Sequence, residues 1–474
     1  MSRRQEILAL AKKGLARLVD LVLGLEAEVR TLRAQLQELQ NRLAQNSRNS
    51  GKPPSTDGLN KPPPKSLRTQ SRRPRGGQPG HPGRTLEQVA QPDHTLTHRL
   101  GRCPCGQCRG GSLHREPVVD YERRQVFELP PKLLVVTEHR AEIKRCPVSG
   151  LLIRAPFPEN VRAPAQYGPR FKGVQVYLNT EHFLPFDRLS RLVEDIFGQP
   201  LSEATVVCAN ERVYGNLSSF EQDLAERLVQ EALLHADESG LRVAGKLHWL
   251  HVVCTDQLTF YGVHPKRGTR AMDDFNIIPR SQGWIIHDHF KPYLTYNDCV
   301  HAFCNEHHLR ELKFQFEENA QAWARELSEF LLYQNQRRAQ HGLPGERSFQ
   351  KILDTYHAIL AKGRRKHPRR KGRQAQSKAA NLLDRLEGYD LCVLAFLLDS
   401  KVPFTNNQAE QDIRMIKIRQ KISGGFRTLH GARVFARIRG YISTCRKQGR
   451  NILDALQRAY SGAPFMPAAP ANGP

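Results

Sequence analysis

Three acidic side chains in the C-terminal half of this 474-residue chain could together hold divalent metal ions. Asp237 lies in the strand-like segment LLHADESGLRV, Asp288 ends the strand-like segment GWIIHD, and Glu410 begins the helical segment NNQAEQDIRMIKIR. Two metal ions about 3.5–4 Å apart need several oxygen ligands, and carboxylates suit Mg²⁺ or Mn²⁺. Such a pair activates water or a 3′-hydroxyl and stabilises the leaving oxygen of a phosphodiester. The three acids therefore indicate phosphodiester chemistry.

The same acids also have simpler explanations. Asp237 could end a strand, and Asp256, at the end of the second strand, is a competing acid. Asn407 with Glu410 three residues later fits a capping box, which contributes about 1 kcal/mol to stability without any chemistry. One role does not exclude the other, and spacing alone leaves these alternatives open.

Basic residues follow Glu410 on the same predicted helix, and from 411 to 450 Asp412 is the one acid. A carboxylate beside a basic stripe fits a metal ligand next to a phosphate track, whereas a solvated charged face usually mixes signs. The Gly-rich segment GGFRTLHGARVF then adds a loop suited to contact DNA. We expect DNA contacts from Arg414, Lys417, Arg419, Lys421 and Arg427.

The segments around the acids predict a ribonuclease-H-like core. LLHADESGLRV, KLHWLHVVCTD and LTFYGVHP form three strand-like runs, which precede a helix near 269–277 and two further strands, GWIIHD and CVHAFC. In such a sheet the strands that carry Asp237 and Asp288 are neighbours. The minimal fold does not need the roughly 120 residues between Asp288 and Glu410, which read as helical. Their basic run GRRKHPRRKGR, at 363–373, predicts an exposed phosphate-binding loop.

Residues 15–43 predict an amphipathic helix with a narrow apolar stripe. Apolar residues recur at alternating steps of three and four over four heptads, with Leu at every d position. A single helix packed on a domain is the alternative, but the polar residues between the stripe positions favour a self-associating coiled coil of open oligomeric order. The stripe consists of Leu15, Leu18, Val22, Leu25, Val29, Leu32, Leu36, Leu39 and Leu43.

Residues 46–84 are rich in Pro, Gly, Ser and basic residues, with Asp57 as their one acid. Such a segment buries too little apolar surface to fold by itself and works as a flexible linker. Its PRGG stretch resembles the Arg-Gly segments that enter A·T-rich minor grooves. We expect phosphate contacts from Arg72, Arg73 and Arg75.

Four cysteines suggest a zinc site, which tetrahedral thiolate coordination would suit. They are Cys103, Cys105, Cys108 and, about forty residues later, Cys146. The second half reads CPVSG, with Ser149 where a partner cysteine is expected, and His114 or His139 could complete the set. The alternative is a ribbon-like fold that has lost its metal.

Residues 165–235 read as helical. PFDRLSRLVEDIFGQPLSEATVVCANERVYGNL predicts a helix, a turn at Gly198 and a second helix capped by Ser202. This is the geometry of helix-turn-helix DNA readers and equally that of a small helical bundle.

Charge and composition narrow the class of partner and the compartment. The 72 Lys and Arg residues against 47 Asp and Glu give a net charge of +25, and its clustering favours nucleic acid over a membrane surface. No stretch reaches the roughly 18 apolar residues of a membrane helix, and the first thirty residues are too charged for a signal peptide. The scattered cysteines do not form a disulfide framework. We expect a cytoplasmic, nucleoid-associated protein.

In their order along the chain, these segments resemble the insertion-sequence-66 family of bacterial transposases, which have a DDE-type catalytic core. The resemblance covers nearly the full length. It rests on the coiled coil, SGKPPSTDG, GGQPGHPG, the cysteine knuckle, HADESG, the set Cys304/His307/Arg310, TNNQAEQDIR and IRQKISGGFRT.

The resemblance implies that Asp237, Asp288 and Glu410 are the catalytic acids, that Mg²⁺ (or Mn²⁺) is the cofactor, and that the partners are element ends and target DNA. It also implies accessory proteins from the same element. DESG departs from the usual DET, and CNEHHLREL is a loose version of the family's CxxH pattern. For Cys304 and His307 we expect fold support or binding of element ends rather than a metal pair.

We therefore expect a multidomain α+β transposase that cleaves and joins DNA. The alternatives are a domesticated or inactive transposase that only binds DNA, and a nuclease without a joining step. The expected domains are a coiled coil at 1–45, a linker at 46–90, a cysteine-knuckle domain at 91–160, a helical DNA-binding region at 161–231, a ribonuclease-H-like core at 232–460 with a helical insertion at about 312–400, and a disordered tail at 461–474.

Overall fold

The computed structural model describes residues 14–45, 88–100, 102–105, 107, 109, 111–130, 133–369 and 376–467, apart from the side chains of 15–18, 34 and 42. Contacts divide the chain into two compact units, Met1–Lys61 with Phe157–Pro474, and Pro62–Pro156. Helix α1 (Leu15–Ala44) covers the predicted coiled-coil segment. Pairing of copies through its apolar stripe stays a prediction, and the stripe is exposed at Val22, Val29, Leu32, Leu36, Leu39 and Leu43.

In the unit Pro62–Pro156, strands β1 (Ile143–Arg145) and β2 (Leu152–Arg154) form an antiparallel hairpin. Cys146 lies in its turn and donates its backbone N–H to the Leu151 carbonyl at 2.8 Å. The backbone N–H of Cys103 donates to the Gly111 carbonyl at 3.0 Å. Cys103 and Cys146, at the two ends of the predicted cysteine knuckle, therefore each donate a backbone hydrogen bond to a residue nearby in sequence.

Between residues 157 and 232 the chain forms four helices: α2 (Pro169–Thr180), α3 (Phe186–Phe197), α4 (Glu203–Asn216) and α5 (Ser218–Val229). The predicted turn is present, because Gly198 ends α3 with a φ of 65°, which glycine adopts without a steric cost. Ser202 caps α4 as predicted, since its hydroxyl accepts from the Thr205 N–H at 3.2 Å. DNA binding by this helix pair stays a prediction.

A five-stranded mixed sheet follows. Strands β3 (Leu233–Val243), β4 (Lys246–Cys254) and β5 (Thr259–His264) pair antiparallel, while β6 (Trp284–His287) and β7 (Val300–Phe303) continue the sheet in parallel from β3. The spatial order is β5-β4-β3-β6-β7. Helix α6 (Thr269–Phe275) lies between β5 and β6 as predicted. The connection from β6 to β7 contains a 3₁₀ helix, Lys291–Thr295.

The predicted helical insertion packs around a hydrophobic core that includes Trp323, Leu327, Tyr356 and Phe396 and that also takes in Phe303 of β7. A Gly363 Cβ would meet the Trp323 ring at 2.7 Å, so two of its helices approach closely there. The helices are α7 (Asn305–Glu317), α8 (Ala322–His341), α9 (Glu346–Lys366), α10 (Lys378–Gly388) and α11 (Asp390–Val393), followed by a 3₁₀ helix, Ala395–Leu397.

The segment predicted as an exposed phosphate-binding loop, 363–373, begins inside a helix, so the prediction of a loop is wrong for its first residues, whereas phosphate binding stays a prediction. Residues 363–366 are the last turn of α9. Arg364 pairs with Asp384 and Glu387 of α10, each at 2.7 Å, and Arg369 pairs with Asp384 at 2.7 Å. These ion pairs link α9 and the residues after it to α10. Residues 370–375 lie outside the described part.

Three helices complete the larger unit: α12 (Asn407–Ser423), α13 (Leu429–Lys447) and α14 (Ile452–Tyr460). Helix α12 packs on β3 and β4, and α13 packs on β5. Helix α14 packs against α2 so closely that a Cβ at Gly173 would meet the Gln457 backbone nitrogen at 3.1 Å. Asn216 also donates from Nδ2 to the Ala459 carbonyl at 2.8 Å.

Candidate active site

The parallel pairing of β3 and β6 brings two of the predicted acids to matching positions. The register pairs His235 with Ile286. Asp237 and Asp288 each lie two residues further along their own segment, so they occupy matching positions. Because side chains two residues apart project from the same face of a strand, both acids belong to one side of the sheet. Asp288 follows directly after β6, and its Oδ1 accepts from the Phe290 N–H at 2.9 Å.

The pKa of Asp237 is raised by burial and by the charges of other acids. Burial of its carboxyl raises this pKa well above the usual value, and the charges of Glu238, Asp288 and Glu410 raise it further. A hydrogen bond from the Glu238 N–H to Oδ1 of Asp237, at 2.7 Å, opposes the shift. Asp288 and Glu410 are therefore near enough to Asp237 for their charges to affect its carboxyl.

Asp256, the competing acid, lies elsewhere. It is exposed in the turn between β4 and β5, and its charge helps to raise the pKa of Glu231 after the larger effect of burial. Its charge also acts on His235, whereas the charges that raise the pKa of Asp237 are those of Glu238, Asp288 and Glu410.

Asn406 fixes the start of α12 to β3. Its Nδ2 donates to the Ala236 carbonyl at 2.8 Å, and its Oδ1 accepts from Nδ1 of His235 at 2.8 Å. Burial lowers the pKa of His235, and the bond to Asn406 partly offsets that effect. The Asn406 carbonyl accepts from the Glu410 N–H at 3.2 Å. Asn406 therefore fixes the first turn of the helix that carries Glu410 to the strand that carries Asp237.

The capping-box alternative for Glu410 is wrong. Asn407 is the first residue of α12, and Asn406 occupies the cap position. Within the described residues no side chain caps this helix, because the Asn406 amide is engaged by β3. The Glu410 carboxylate instead faces Cys304, whose Sγ donates to its Oε1 at 3.8 Å.

A second contact fixes α12 from its other side. Lys447 of α13 donates from Nζ to Oδ2 of Asp412 at 2.6 Å, and both side chains are largely buried. The Tyr261 hydroxyl of β5 donates to the Asp412 backbone carbonyl at 2.7 Å. The helix that carries Glu410 is thus fixed to the sheet and to α13.

Sequence reasoning missed three residues around Asp288. Glu238 is buried and accepts from the Tyr293 hydroxyl and from Nε of Arg267, each at 2.7 Å. Burial, and then the charge of Asp288, raises the pKa of Glu238 to about 7. Nη2 of Arg267 lies 3.8 Å from Oδ2 of Asp288. No local pattern singles out Arg267, because it approaches from the segment after β5.

The predicted DNA-binding residues divide into two groups. Nζ of Lys417 donates to the Gly240 carbonyl at 2.8 Å, and the Arg419 guanidinium lies 3.5 Å from the centre of the Phe426 ring. These two side chains are engaged within the fold. The exposed ones are Arg414, Lys421 and Arg427. Arg72, Arg73 and Arg75 lie outside the described residues, and DNA contact by any of the eight stays a prediction.

Cys304 and His307 lie beside Glu410 rather than apart from it. Cys304 precedes α7 and His307 lies in its first turn. The Cys304 Sγ, the His307 Nδ1 and a Glu410 carboxylate oxygen all lie within 4.8 Å of one another. The His307 Nδ1 is 4.0 Å from Oε1 of Glu410. Glu410 thus belongs to two groups of possible metal ligands.

The four cysteines of the predicted zinc site belong to the other unit. Sγ of Cys146 accepts from the Ser149 N–H at 3.5 Å, and hydrogen bonds from Ser149 lower the pKa of Cys146. Cys103 and Cys105 lie in the described part, whereas Cys108 lies outside it. The zinc site stays a prediction.

Among the described residues, no helix has the length and apolar character that a membrane span requires.

Comparison with known proteins agrees with the resemblance seen in the sequence. Residues 3–87 match a family of unknown function, DUF6444. No curated protein matches the chain. Residues 164–434, more than half of the chain and the part that contains Asp237, Asp288 and Glu410, match the model of the Transposase IS66 family. The chain therefore belongs to the IS66 family of transposases.

Proposed function

We propose that this chain is a DDE-type DNA transposase that cleaves and joins strands at the ends of a bacterial mobile element, with Asp237, Asp288 and Glu410 as its catalytic acids. One observation supports the proposal most directly. The Asp237 carboxyl is affected by acids from two other parts of the chain, one after β6 and one in α12. A fold that only binds DNA has no need to gather three acids.

The architecture fits this chemistry. The order β5-β4-β3-β6-β7, with three antiparallel strands and two parallel ones, is the arrangement expected of a ribonuclease-H-like core. Its central strand carries Asp237, and its neighbour ends at Asp288. The helical insertion separates Asp288 from Glu410 in sequence. After the insertion, the hydrogen bond from Asn406 to the Ala236 carbonyl connects the start of α12 to β3.

A divalent cation fits the three acids. Burial and neighbouring negative charges favour the protonated form of a carboxyl, as the raised pKa of Asp237 indicates. A hard divalent cation would stabilise the ionised forms of the three carboxylates instead. Asp237, Asp288 and Glu410 would hold Mg²⁺ or Mn²⁺. When bound, the ion supplies Lewis-acid activation of the attacking hydroxyl and charge stabilisation of the leaving oxygen.

The other residues position these acids and the DNA. Arg267 supplies a positive charge beside Asp288 and Glu238. Exposed Arg414, Lys421 and Arg427 would neutralise phosphates, so binding should weaken steeply with added salt. The linker and the helix pair α3–α4 would bind element ends, and α1 would pair protomers.

The test is cleavage and joining of DNA that carries the sequences flanking this gene, with Mg²⁺ or Mn²⁺. We expect products from the wild type, and none from Asp237→Asn, Asp288→Asn or Glu410→Gln, which should still bind the DNA. Asp256→Asn is the matched control, because it removes an exposed acid outside the cluster, and it should stay active. Binding without products from the wild type would instead support a DNA-binding role, and cleavage without joining would support a nuclease.

A further inference from the structure

A thiol, an imidazole and a carboxylate converge at the start of helices α7 and α12. Sγ of Cys304 lies 3.8 Å from Oε1 of Glu410, and Nδ1 of His307 lies 4.0 Å from the same oxygen. Tetrahedral zinc places a sulfur and an oxygen ligand about 3.6 Å apart and a nitrogen and an oxygen ligand about 3.3 Å apart, from its bond lengths. The sulfur–oxygen distance therefore has to shorten by about 0.2 Å and the nitrogen–oxygen distance by about 0.7 Å, and all three ligand atoms already lie within 4.8 Å of one another, so side-chain movements of up to about 1 Å would close them around one ion.

The local structure presents these ligands to an ion. Nδ1 of His307 is buried and has no hydrogen-bond partner among the described residues. A buried polar atom without a partner is costly, and a ligand-binding role accounts for it. The backbone also fixes the pair, because the His307 N–H donates to the Cys304 carbonyl at 3.3 Å and the Asn406 N–H donates to the Cys304 Sγ at 3.2 Å.

Two side chains of the group are partly exposed to solvent. The side chains of His307 and Glu410 are 32% and 21% exposed, so the group lies close to the protein surface although its thiol and Nδ1 are buried. Thiolate and imidazole ligands suit zinc, whereas Mg²⁺ prefers oxygen ligands alone. The group therefore differs in metal preference from the three acids, although both include Glu410.

We propose that Cys304, His307 and Glu410 form a Zn²⁺ site that withdraws Glu410 from the acid cluster, so that zinc inhibits the Mg²⁺-dependent reaction. Binding releases the thiol proton of Cys304 and leaves a thiolate on the metal. The binding part of this inference is independent of the proposed function, and only the inhibition rests on it.

Titration of the metal-free full-length chain with Co²⁺, followed by competition with Zn²⁺, tests the binding. A thiolate-to-cobalt charge-transfer band should appear in the wild type and be lost in both Cys304→Ser and His307→Gln. Subtraction of the Cys304→Ser spectrum removes any signal from the cysteines at 103–146. Cys299→Ser is the matched control, because Cys299 is also buried and its Sγ lies 3.8 Å from Nε2 of His301, with no carboxylate bonded to it in the described residues. It should keep the band.

Equal spectra and equal zinc stoichiometry in the wild type, Cys304→Ser and His307→Gln would overturn the site. His307→Gln tests it separately if Cys304→Ser fails to fold, because His307 is partly exposed. Activity then tests the inhibition: micromolar Zn²⁺ should suppress Mg²⁺-dependent cleavage by the wild type and by Cys299→Ser. Zinc bound through Cys304 without loss of cleavage would overturn the sharing of Glu410. If the wild type never cleaves DNA, the proposed function fails while the cobalt spectra still decide the zinc site.

Discussion

Substitution of Asn406 by Ala should destabilise the sheet region far more than the same change one residue later. Its side chain makes two hydrogen bonds that cross 170 and 171 residues of sequence, one to the Ala236 carbonyl and one from His235. Asn406→Ala leaves both buried partners without this contact. Each such loss costs about 1–3 kcal/mol, so we expect the free energy of unfolding to fall by about 2–6 kcal/mol.

Asn407→Ala is the matched control. Asn407 is exposed and begins α12, so its loss should cost less than about 0.5 kcal/mol. Urea unfolding followed by tryptophan fluorescence gives the comparison, because Trp249 and Trp284 lie in β4 and β6 and Trp323 in the adjoining insertion. Equal midpoints for Asn406→Ala and the wild type, or a larger loss for Asn407→Ala, would refute the assignment of Asn406 as the link between α12 and β3.

Three further predictions concern charge and assembly. The pKa of Asp237 is higher in the folded protein than in the unfolded chain, so ionisation of this carboxyl lowers the free energy of unfolding progressively as pH rises from the unfolded pKa towards the folded one. Asp237→Asn should therefore unfold at a higher temperature than the wild type at pH 7 without metal. The same variant should lose most of the stabilisation that Mg²⁺ gives the wild type in thermal scans. Lys447→Met leaves Asp412 without its ion-pair partner and should cost about 3 kcal/mol, with part of the loss recovered in urea unfolding when Asp412→Asn is added. Deletion of residues 1–45 should lower the assembly state by light scattering, and an unchanged mass would contradict pairing through α1.

The strands and the first two acids could be predicted because their signals are local. The segments around Asp237 and Asp288 are runs of β-branched and aromatic residues between turns, and the structure gives strands there. The side-chain period of two then places both acids on one face once the strands are neighbours.

The contacts that complete the site have no such local signal. Asn406 reads as one more polar residue before a helix, and its partners lie about 170 residues away. Helical spacing placed Lys417 near Glu410, but it does not say which side chains the sheet covers, so the bond from Lys417 to Gly240 could not be foreseen. Arg364 looked like a free phosphate ligand because its acidic partners belong to the next helix, α10.

The packing of α14 against α2 has a consequence for how the protein is made. Val176 in α2 and Leu456 in α14 belong to the same hydrophobic core, so its first and last helices meet although about 280 residues separate them. A chain still on the ribosome cannot close this core until α14 has emerged. A premature stop codon anywhere before α14 therefore yields a product with an open core, which cellular proteases can remove.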